Sequence, residues 1–249
     1  MAAALDWLIA RPIAHRGLHD SASGVIENTA GAVRAAIAAG YGIEIDLQIS
    51  ADGEAMVHHD DALGRLTEGQ GRLDQLNAAE LKRVAFRGSA ERMLTLGELC
   101  DLVGGRAALL PELKSRFDGD DRLPARAAAV LAGYRGPVAP MSFDPAQLRS
   151  LRERAPGLPR GIVAAKYRPH PYWDRMPAWQ RYAMGTLLPA LTARPYFVAY
   201  AVDDLPAVGP LLARQIAGLP LLTWAVRTPQ QRQRAARWAD QIIFEGFRP

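Results

Sequence analysis

The sequence predicts a protein of the α/β class that folds as a (β/α)8 barrel, the TIM-barrel architecture. Eight short apolar runs, each suited to a buried strand, alternate with segments that have helix-like patterns. The chain of 249 residues has the length that eight such strand–helix repeats require. A doubly wound open sheet has the same alternation of elements and remains the structural alternative.

The predicted strands are short and apolar, as in a protein core. In chain order they are Pro12–Ala14, Gly42–Leu47, Ala108–Leu113, Val138–Ser142, Gly161–Ala164, Tyr196–Val202, Leu221–Val226 and Gln241–Phe244. In a barrel of this kind the active site lies at the carboxyl ends of the strands. The residues that end or follow each run are therefore the candidates for function.

Helix starts and stops fall between these strands. A Ser, Thr, Asp or Asn before a helix can accept hydrogen bonds from free backbone N–H groups, and proline is favoured at the first helical position. The predicted starts are Thr29, Thr95 with Glu98 in a capping box, Asp144-Pro145 and Thr228-Pro229. Gly40 is placed to end the helix that begins after Thr29.

Residues 48–93 break the alternation. They contain a turn at residues 51–54, a short strand Ala55–His58 and a capped helix that starts near Asn77. We interpret this region as an insertion after strand two that lies over one end of the barrel. We therefore predict a single barrel domain over residues 1–249, with the aromatic stretch Tyr167–Tyr182 as a long loop over the site.

Composition argues against several classes of protein. The formal net charge is only +4 and no run of five Lys or Arg occurs, so nucleic acid is not an expected partner. The single cysteine, Cys100, excludes an internal disulfide and fits a reducing cytoplasm. The apolar start Met1–Ile9 is short and lacks a positive leader, so we do not expect a signal peptide. No run approaches ~18 apolar residues, so we do not expect a transmembrane helix. We expect a cytoplasmic protein with a small-molecule substrate and no integral membrane segment. The oligomeric state stays open.

Charged side chains cluster at the ends of the first three long apolar runs. Glu44 and Asp46 lie two residues apart, so in a strand both point to the same face. The complete set at these strand ends is His15, Arg16, Glu44, Asp46, Glu112 and Lys114. Because carboxyl ends of parallel strands meet at one edge of a barrel, we expect these groups to lie close together.

The three carboxylates Glu44, Asp46 and Glu112 predict an oxygen site for a hard divalent cation, Mg²⁺ or Ca²⁺. Zinc is less favoured because it usually takes nitrogen or sulfur ligands. Ordinary alternatives remain: the strand-two pair could face solvent, and Lys114 could form a simple salt bridge with its neighbour. Of the adjacent His58 and His59, no more than one can face the site.

Several separated motifs resemble the glycerophosphodiester phosphodiesterase family, in order and in spacing, over nearly the whole chain. They are Ala14-His15-Arg16-Gly17, Glu27-Asn28-Thr29, Glu44-Ile45-Asp46-Leu47, Asp52-Gly53, His59-Asp60, Leu63, Arg65, Thr67, Thr95-Leu96-x-Glu98, Glu112-Leu113-Lys114, Ser142-Phe143 and Thr223-Trp224. The resemblance implies a barrel with a small insertion after strand two.

The resemblance also implies roles for individual residues. His15 and His59 are the expected general acid and base, and the three carboxylates are the expected metal ligands. The remaining expected roles are phosphate contacts for Arg16 and Lys114, an apolar wall for the glycerol part at Trp224, a further oxygen ligand or substrate contact at Asn28, and a supporting position at the rim for Glu27.

The implied reaction is metal-dependent hydrolysis of a glycerophosphodiester to glycerol 3-phosphate and an alcohol. Histidine suits both proton transfers because its unperturbed pKa is ~6.5. The implied nucleophile is the substrate's own 2-hydroxyl, which gives a cyclic phosphate that water then opens. A lysophospholipase D-type phosphodiesterase and a catalytically silent phosphoester-binding barrel are the alternatives.

The chain departs from the family pattern near the rim of the site. Ile26 stands where a proline is usual, and the loop between Gly17 and Glu27 is long and carries His19. Arg227 replaces the usual asparagine after strand seven, and Phe244-Glu245 replaces the usual Thr-Asp pair after strand eight. These positions leave the alcohol part of the substrate open, and the sequence does not assign them roles.

Overall fold

A parallel barrel that closes on itself is the central feature of the computed structural model, which describes residues 5–168, 173 and 176–249. Among these residues, eight parallel strands form the barrel wall and a ninth strand pairs with one of them in antiparallel fashion. The first strand pairs with both the second and the last strand. This closure confirms the predicted barrel and excludes the open doubly wound sheet.

The strands are numbered β1 to β9 in chain order. Their bounds are β1 Ile13–Ala14, β2 Gly42–Ile49, β3 Ala55–Val57, β4 Leu109–Leu113, β5 Met141–Ser142, β6 Gly161–Ala164, β7 Phe197–Ala201, β8 Leu221–Val226 and β9 Gln241–Phe244. The antiparallel strand is β3, which pairs with the end of β2. Every predicted barrel strand is therefore present. The fourth is shorter than predicted, since Val138 forms only an isolated bridge with Leu109.

Helices cover the outside of the barrel. Their bounds are α1 Asp6–Ala10, α2 Ala30–Ala38, α3 Ala78–Leu81, α4 Leu96–Val103, α5 Arg122–Leu131, α6 Pro145–Arg154, α7 Ala178–Gly185, α8 Val208–Gln215 and α9 Pro229–Trp238. Short 3-10 helices cover Ser21–Ser23, Leu73–Gln75, Leu188–Ala193 and Val202–Asp204. No helix in the described part of the chain combines the length and apolar character needed to span a bilayer.

The predicted helix caps are confirmed at three of the four starts. Thr95, Asp144 and Thr228 each accept a hydrogen bond from a backbone N–H of the first turn, and Thr95 and Thr228 form capping boxes. Thr29 is the exception: its hydroxyl instead donates to the carbonyl of Ile26 at 2.7 Å. Gly40 ends α2 with a φ of +72°, as its sequence position predicts.

Two apolar layers position the strands. The outer layer packs alternate strand residues, among them Ile43, Ile45 and Leu47 of β2, against the helices. The inner layer fills the barrel, with Phe197 as its largest fully buried aromatic. A Cβ at Gly161 would lie 2.1 Å from the Phe197 ring, so only glycine fits on β6 there. The amino end of the barrel is covered by α1, whose Leu8 joins this inner layer.

Residues 48–93 pack around a small core of their own, formed by Met56, Leu73, Leu81, Phe86 and Met93. Asn77 caps α3 in a capping box, and β3 ties the region to β2. The predicted loop Tyr167–Tyr182 differs in its second half, because Ala178 starts helix α7. Residues 1–4, 169–172, 174 and 175, which include parts of that loop and of the apolar start Met1–Ile9, lie outside the described residues.

Candidate active site

The carboxyl ends of the barrel strands open into a cavity of about 810 Å³. Its walls come from the ends of β1, β2, β4, β5 and β8, from the insertion and from the loop before α7. The predicted site residues on the wall are His15, Arg16, Glu44, His59, Glu112, Lys114 and Trp224. Because the carboxyl ends of all the parallel strands lie at the same end of the barrel, residues up to about two hundred positions apart in sequence meet at this cavity.

Three carboxylates converge beneath the cavity. Asp46 of β2 and Glu112 of β4 are register partners, and Glu44 lies two residues before Asp46 on the same face. Glu44 and Asp46 are 1% exposed and Glu112 is 7% exposed. One oxygen from each carboxylate lies within 4.8 Å of the other two. Three acidic groups are therefore buried at one point, which requires compensating positive charge.

Two cations compensate part of this charge. The Lys114 ammonium lies 2.7 Å from Asp46 Oδ1 and 2.6 Å from Glu112 Oε1. The Arg16 Nε lies 3.2 Å from Asp46 Oδ2. Burial raises the pKa of Asp46, but the nearby Lys114, His59 and Arg16 outweigh it and hold that pKa well below its usual range. Asp46 is therefore ionised, and Lys114 is charged in spite of its burial.

Glu44 is the carboxylate that lacks such compensation. Its Oε2 accepts the backbone N–H of Arg16 at 2.9 Å, whereas its buried Oε1 has no hydrogen-bond partner among the residues that the structure describes. Burial and the charges of Asp46 and Glu112 raise the pKa of Glu44 well above its usual value. An unsatisfied carboxylate oxygen beside two further carboxylates fits a hard divalent cation, which favours oxygen ligands.

The turn after β1 places Arg16 over this cluster. Arg16 has a φ of +56° and Gly17 a φ of +78°. A Cβ at Gly17 would lie 2.9 Å from Ala32 of α2, so glycine is required where the chain crosses this helix. The Arg16 guanidinium also reaches Glu27 at 2.8 Å. The predicted supporting residue Glu27 thus orients Arg16 at the rim.

Asn28 contacts Asp46 through both polar atoms of its side-chain amide. Its Nδ2 donates to Asp46 Oδ2 at 2.8 Å, and its Oδ1 accepts the backbone N–H of Asp46 at 3.0 Å. Asn28 is 1% exposed. Its side chain therefore holds both the carboxylate and the backbone N–H of Asp46, and the expected contact with metal or substrate stays a prediction.

His15 lies on the cavity wall between two carboxylates. Its Nδ1 is 3.0 Å from Glu245 Oε2, and its Nε2 is 3.9 Å from Glu44 Oε2. Burial is the largest influence and lowers the pKa of His15 below its usual value. A neutral imidazole with a free Nε2 facing the cavity can accept a proton.

His59 is held in the same manner by its neighbour in sequence. Its Nδ1 lies 2.7 Å from Asp60 Oδ1, and Asp60 in turn accepts from Arg65 at 2.6 Å. Arg65 also reaches Glu27 at 2.7 Å. His58, the adjacent histidine, is buried in the insertion with its ring 6.2 Å from that of Phe86. His59 and not His58 therefore faces the cavity.

Aromatic side chains line the opposite side of the cavity. The ring of Trp224 lies 5.4 Å from that of Phe143, and Phe143 lies 5.4 Å from Trp173. The indole N–H of Trp224 donates to the carbonyl of Ala199 at 3.1 Å. Trp224 therefore lines the cavity with its polar atom satisfied, and its contact with the glycerol part of a substrate stays a prediction.

The sequence did not identify Glu245 as the partner of His15. The signal was present, because Glu245 directly follows β9 and so lies at the same rim as His15. The two residues are 230 positions apart, and only barrel closure makes them neighbours. Arg227 and His19 also contact Glu245, at 2.6 and 3.5 Å.

Comparison with known proteins gives consistent matches. The family model described as "Glycerophosphoryl diester phosphodiesterase family" matches residues 15–246. The glycerophosphodiester phosphodiesterase of Caldanaerobacter subterraneus subsp. tengcongensis is 30% identical over 161 residues, which are 61% of this chain and 65% of that protein. The match thus spans slightly less than two thirds of that relative's length.

Solved structures agree with the fold. A Silicibacter pomeroyi protein named as a glycerophosphoryl diester phosphodiesterase is 26% identical with a TM-score of 0.76, covering 94% of this chain and 89% of that one. A phosphodiesterase of Oleispira antarctica, solved in complex with its product sn-glycerol-3-phosphate, is 23% identical with a TM-score of 0.74, covering 93% and 91%.

Proposed function

Because this chain belongs to the glycerophosphoryl diester phosphodiesterase family, we propose that it is a metal-dependent enzyme that hydrolyses glycerophosphodiesters to glycerol 3-phosphate and an alcohol. One observation carries the proposal: a buried cluster of three carboxylates lies beside two histidines. The Nδ1 atom of each histidine lies within hydrogen-bond distance of a further carboxylate. The Oleispira antarctica structure contains the product that the proposal names.

The metal ligands in this proposal are Glu44, Asp46 and Glu112. When bound there, Mg²⁺ or Ca²⁺ supplies positive charge that stabilises the negative charge developing on the phosphate oxygens. The ligand set consists only of oxygen atoms, which these hard cations prefer. The unpartnered Glu44 Oε1 supports this assignment from the structure itself.

Arg16 and Lys114 bind the phosphodiester in this proposal. Both line the cavity. Burial lowers the pKa of each side chain, but the surrounding carboxylates outweigh burial and raise it, so both are charged. Fixed positive charge in a site shielded from water stabilises a developing oxyanion more than it would in water.

His15 and His59 move the protons. The substrate's 2-hydroxyl oxygen forms a bond to phosphorus while the bond from phosphorus to the alcohol oxygen breaks. One histidine Nε2 takes the hydroxyl proton, and the other donates a proton to the leaving oxygen. Water then opens the cyclic phosphate to glycerol 3-phosphate, with the same two histidines exchanging protons in the opposite direction.

The test is release of glycerol 3-phosphate from glycerophosphocholine and glycerophosphoethanolamine, with Mg²⁺ or Ca²⁺ and after chelation. We expect turnover with a metal and at least about 10²-fold less after chelation. Equal rates in both conditions would refute the metal dependence. Unchanged turnover in His15→Ala or His59→Ala would refute the two-histidine mechanism, and absence of turnover with every diester would favour the silent phosphoester-binding barrel.

The aromatic side of the cavity supports a second candidate on the same scaffold, a lysophospholipase D-type activity. Phe117, Phe143, Trp173 and Trp224 line the cavity. Such a wall can contact an acyl chain as well as glycerol. Release of choline from lysophosphatidylcholine at a rate similar to that from glycerophosphocholine would support this candidate, and activity confined to deacylated diesters would exclude it.

A further inference from the structure

The carboxylate of Glu245 connects three side chains that come from separate parts of the chain. His15 from the end of β1 lies 3.0 Å from Oε2, and Arg227 from the end of β8 donates to the same oxygen at 2.6 Å. His19, in the loop between β1 and α2, has its Nε2 3.5 Å from Oε1. Glu245 itself follows β9, so the group spans the seam where the barrel closes.

Glu245 lies behind His15 as seen from the cavity. His15 and Arg227 are part of the cavity wall, whereas Glu245 lies outside that wall and is about one-fifth exposed. It therefore does not face the space where a phosphodiester would bind. Glu245 can therefore act on the reaction through the wall residues that it contacts, His15 and Arg227.

The contact fixes which nitrogen of His15 carries the proton. An ionised carboxylate can only accept hydrogen bonds, so a neutral His15 has to donate from Nδ1. Its Nε2 is then the basic nitrogen, and this atom points toward Glu44 Oε2, 3.9 Å away. The hydrogen bond with His15, together with the nearby His19, holds the pKa of Glu245 well below its usual range, so the acceptor stays ionised.

Two apparently separate departures from the family pattern belong to this one group. Arg227 and Glu245 stand where asparagine and aspartate are usual, and in the structure they form an ion pair with each other. Because the guanidinium and His15 share one carboxylate oxygen, Arg227 restrains the orientation of the longer glutamate side chain. The two replacements therefore complement each other.

We propose that Glu245 is the positioning residue of His15 and that Arg227 and His19 hold its carboxylate in place. The inference rests on the proposed phosphodiesterase function. A carboxylate that orients a catalytic imidazole and fixes its tautomer contributes strongly to catalysis without touching the substrate. A partner of this kind affects the rate of the chemical step and leaves substrate binding nearly unchanged.

The kinetic test compares Glu245→Ala, Glu245→Gln, His15→Ala and the double variant His15→Ala/Glu245→Ala. We expect kcat to fall about 10²-fold in Glu245→Ala and less in Glu245→Gln, which keeps an acceptor oxygen, with KM within about twofold of the native value. In the His15→Ala background the second substitution should cost almost nothing, because its effect passes through His15. Independent, multiplying losses would overturn the proposal.

A matched control is available at the other end of the same strand. Asp240 precedes β9 and pairs with Arg214 at 2.7 Å, away from the catalytic cavity. Asp240→Asn removes a carboxylate–arginine pair of comparable exposure and should leave kcat within about twofold. A loss in Asp240→Asn equal to that in Glu245→Ala would show that the effect is general destabilisation, which contradicts the proposal.

A second measurement does not depend on activity. The chain has five histidines, so ¹⁵N spectra of the imidazole rings can be assigned by single substitutions. Native His15 should have the proton on Nδ1 at neutral pH, and Glu245→Ala should shift it toward the Nε2–H tautomer. An unchanged tautomer would overturn the positioning role even if no phosphodiester were turned over, whereas a native enzyme inactive on every diester would refute the proposed function alone.

Arg227→Asn restores the residue usual in the family and separates two roles for Arg227. If Arg227 holds Glu245, kcat should fall about threefold to tenfold at unchanged KM. If it instead contacts the substrate, KM should rise at unchanged kcat. The latter result would remove Arg227 from the proposed group and assign it to binding of the alcohol part.

Discussion

The two histidines of the candidate site have the same local arrangement but are held in different ways. His59 takes its carboxylate from the next residue, Asp60, and the contact lies in the insertion, where His59 is about one-third exposed. His15 takes its carboxylate from Glu245, 230 residues away across the barrel seam, and is only 12% exposed. The comparison shows that one chemical unit can be built either by local sequence or by barrel closure.

The two histidine–carboxylate pairs should be sensitive to different structural changes. The His59 pair depends on two adjacent residues and on Arg65, which also reaches Glu27. The His15 pair depends on the correct pairing of β1 with β9. Changes within the insertion should therefore disturb the His59 pair without affecting the closure of the barrel, whereas the His15 pair depends on that closure.

Removing either imidazole should have the largest effect. His15→Ala and His59→Ala are each expected to lower kcat by about 10³-fold, because general acid and general base catalysis contribute on that scale. Steady-state kinetics on glycerophosphocholine would measure this. His58→Gln is the matched control, since His58 is buried beside His59 but faces Phe86. A loss in His58→Gln as large as in His59→Ala would mean that the wrong histidine has been assigned.

Changing the carboxylates that lie between the two pairs should have the next largest effect. Glu44→Gln is expected to weaken binding of Mg²⁺ or Ca²⁺ by about 10²-fold, because it removes one of the three proposed anionic ligands. Isothermal titration calorimetry of the purified protein with each metal would measure this without a substrate. Unchanged affinity would show that the cation, if any, binds elsewhere.

Asp60→Asn tests the local pair. We expect kcat to fall about tenfold, because the asparagine side chain can still accept from Nδ1 of His59 but loses its charge and part of its contact with Arg65. This is a smaller effect than the one expected for Glu245→Ala. A larger loss in Asp60→Asn would reverse the ranking of the two pairs.

Arg65→Gln should have a still smaller effect. Arg65 is 45% exposed and acts on His59 only through Asp60, so we expect about a threefold loss in kcat. Arg126→Gln is a suitable control, because Arg126 is 42% exposed and also pairs with a glutamate, Glu54. If both variants lost activity equally, the network around Asp60 would have no special role.

The stability contribution of Asp60 should depend on pH. Burial raises the pKa of Asp60, but hydrogen bonds from His59 and Arg65 outweigh it and lower that pKa below the usual 3.8. A carboxyl with a lowered pKa in the folded state stabilises the protein above its unfolded pKa and loses this effect as pH falls. The difference in unfolding free energy between native and Asp60→Asn protein should therefore be greatest near neutral pH and shrink below about pH 4. Urea unfolding at pH 7, 4 and 3 would show it, and a difference that stays constant down to pH 3 would contradict it.

The sequence predicted the fold because its signals are local. Each barrel strand is a separate apolar run, and the caps at Thr95, Asp144 and Thr228 depend on neighbours within a few residues. Thr29 occupies the predicted N-cap position of α2 but forms no side-chain cap, and its hydroxyl donates to the carbonyl of Ile26. The bounds of the fourth strand were less predictable because strand length depends on neighbouring strands.

The sequence predicted which residues lie at the carboxyl ends of the barrel strands. It did not predict the hydrogen-bond and ion-pair partners of their side chains. Placement of Glu44, Asp46 and Glu112 on one face follows from strand alternation. The sequence could not show that the oxygen of Asn28 binds the backbone of Asp46, or that Lys114 lies between Asp46 and Glu112. These contacts depend on rotamers and on the register between β2 and β4, which no local pattern specifies.

The pairing of β1 with β9 has a consequence for how the protein is made. β1 is only two residues long and needs both β2 and β9 as neighbours to complete its hydrogen bonding. During synthesis, Glu245 is added 230 residues after His15, whereas Asp60 is added directly after His59. The carboxylate that contacts His59 is therefore available as soon as His59 has been made, whereas His15 gains its carboxylate only when β9 has been translated and paired with β1.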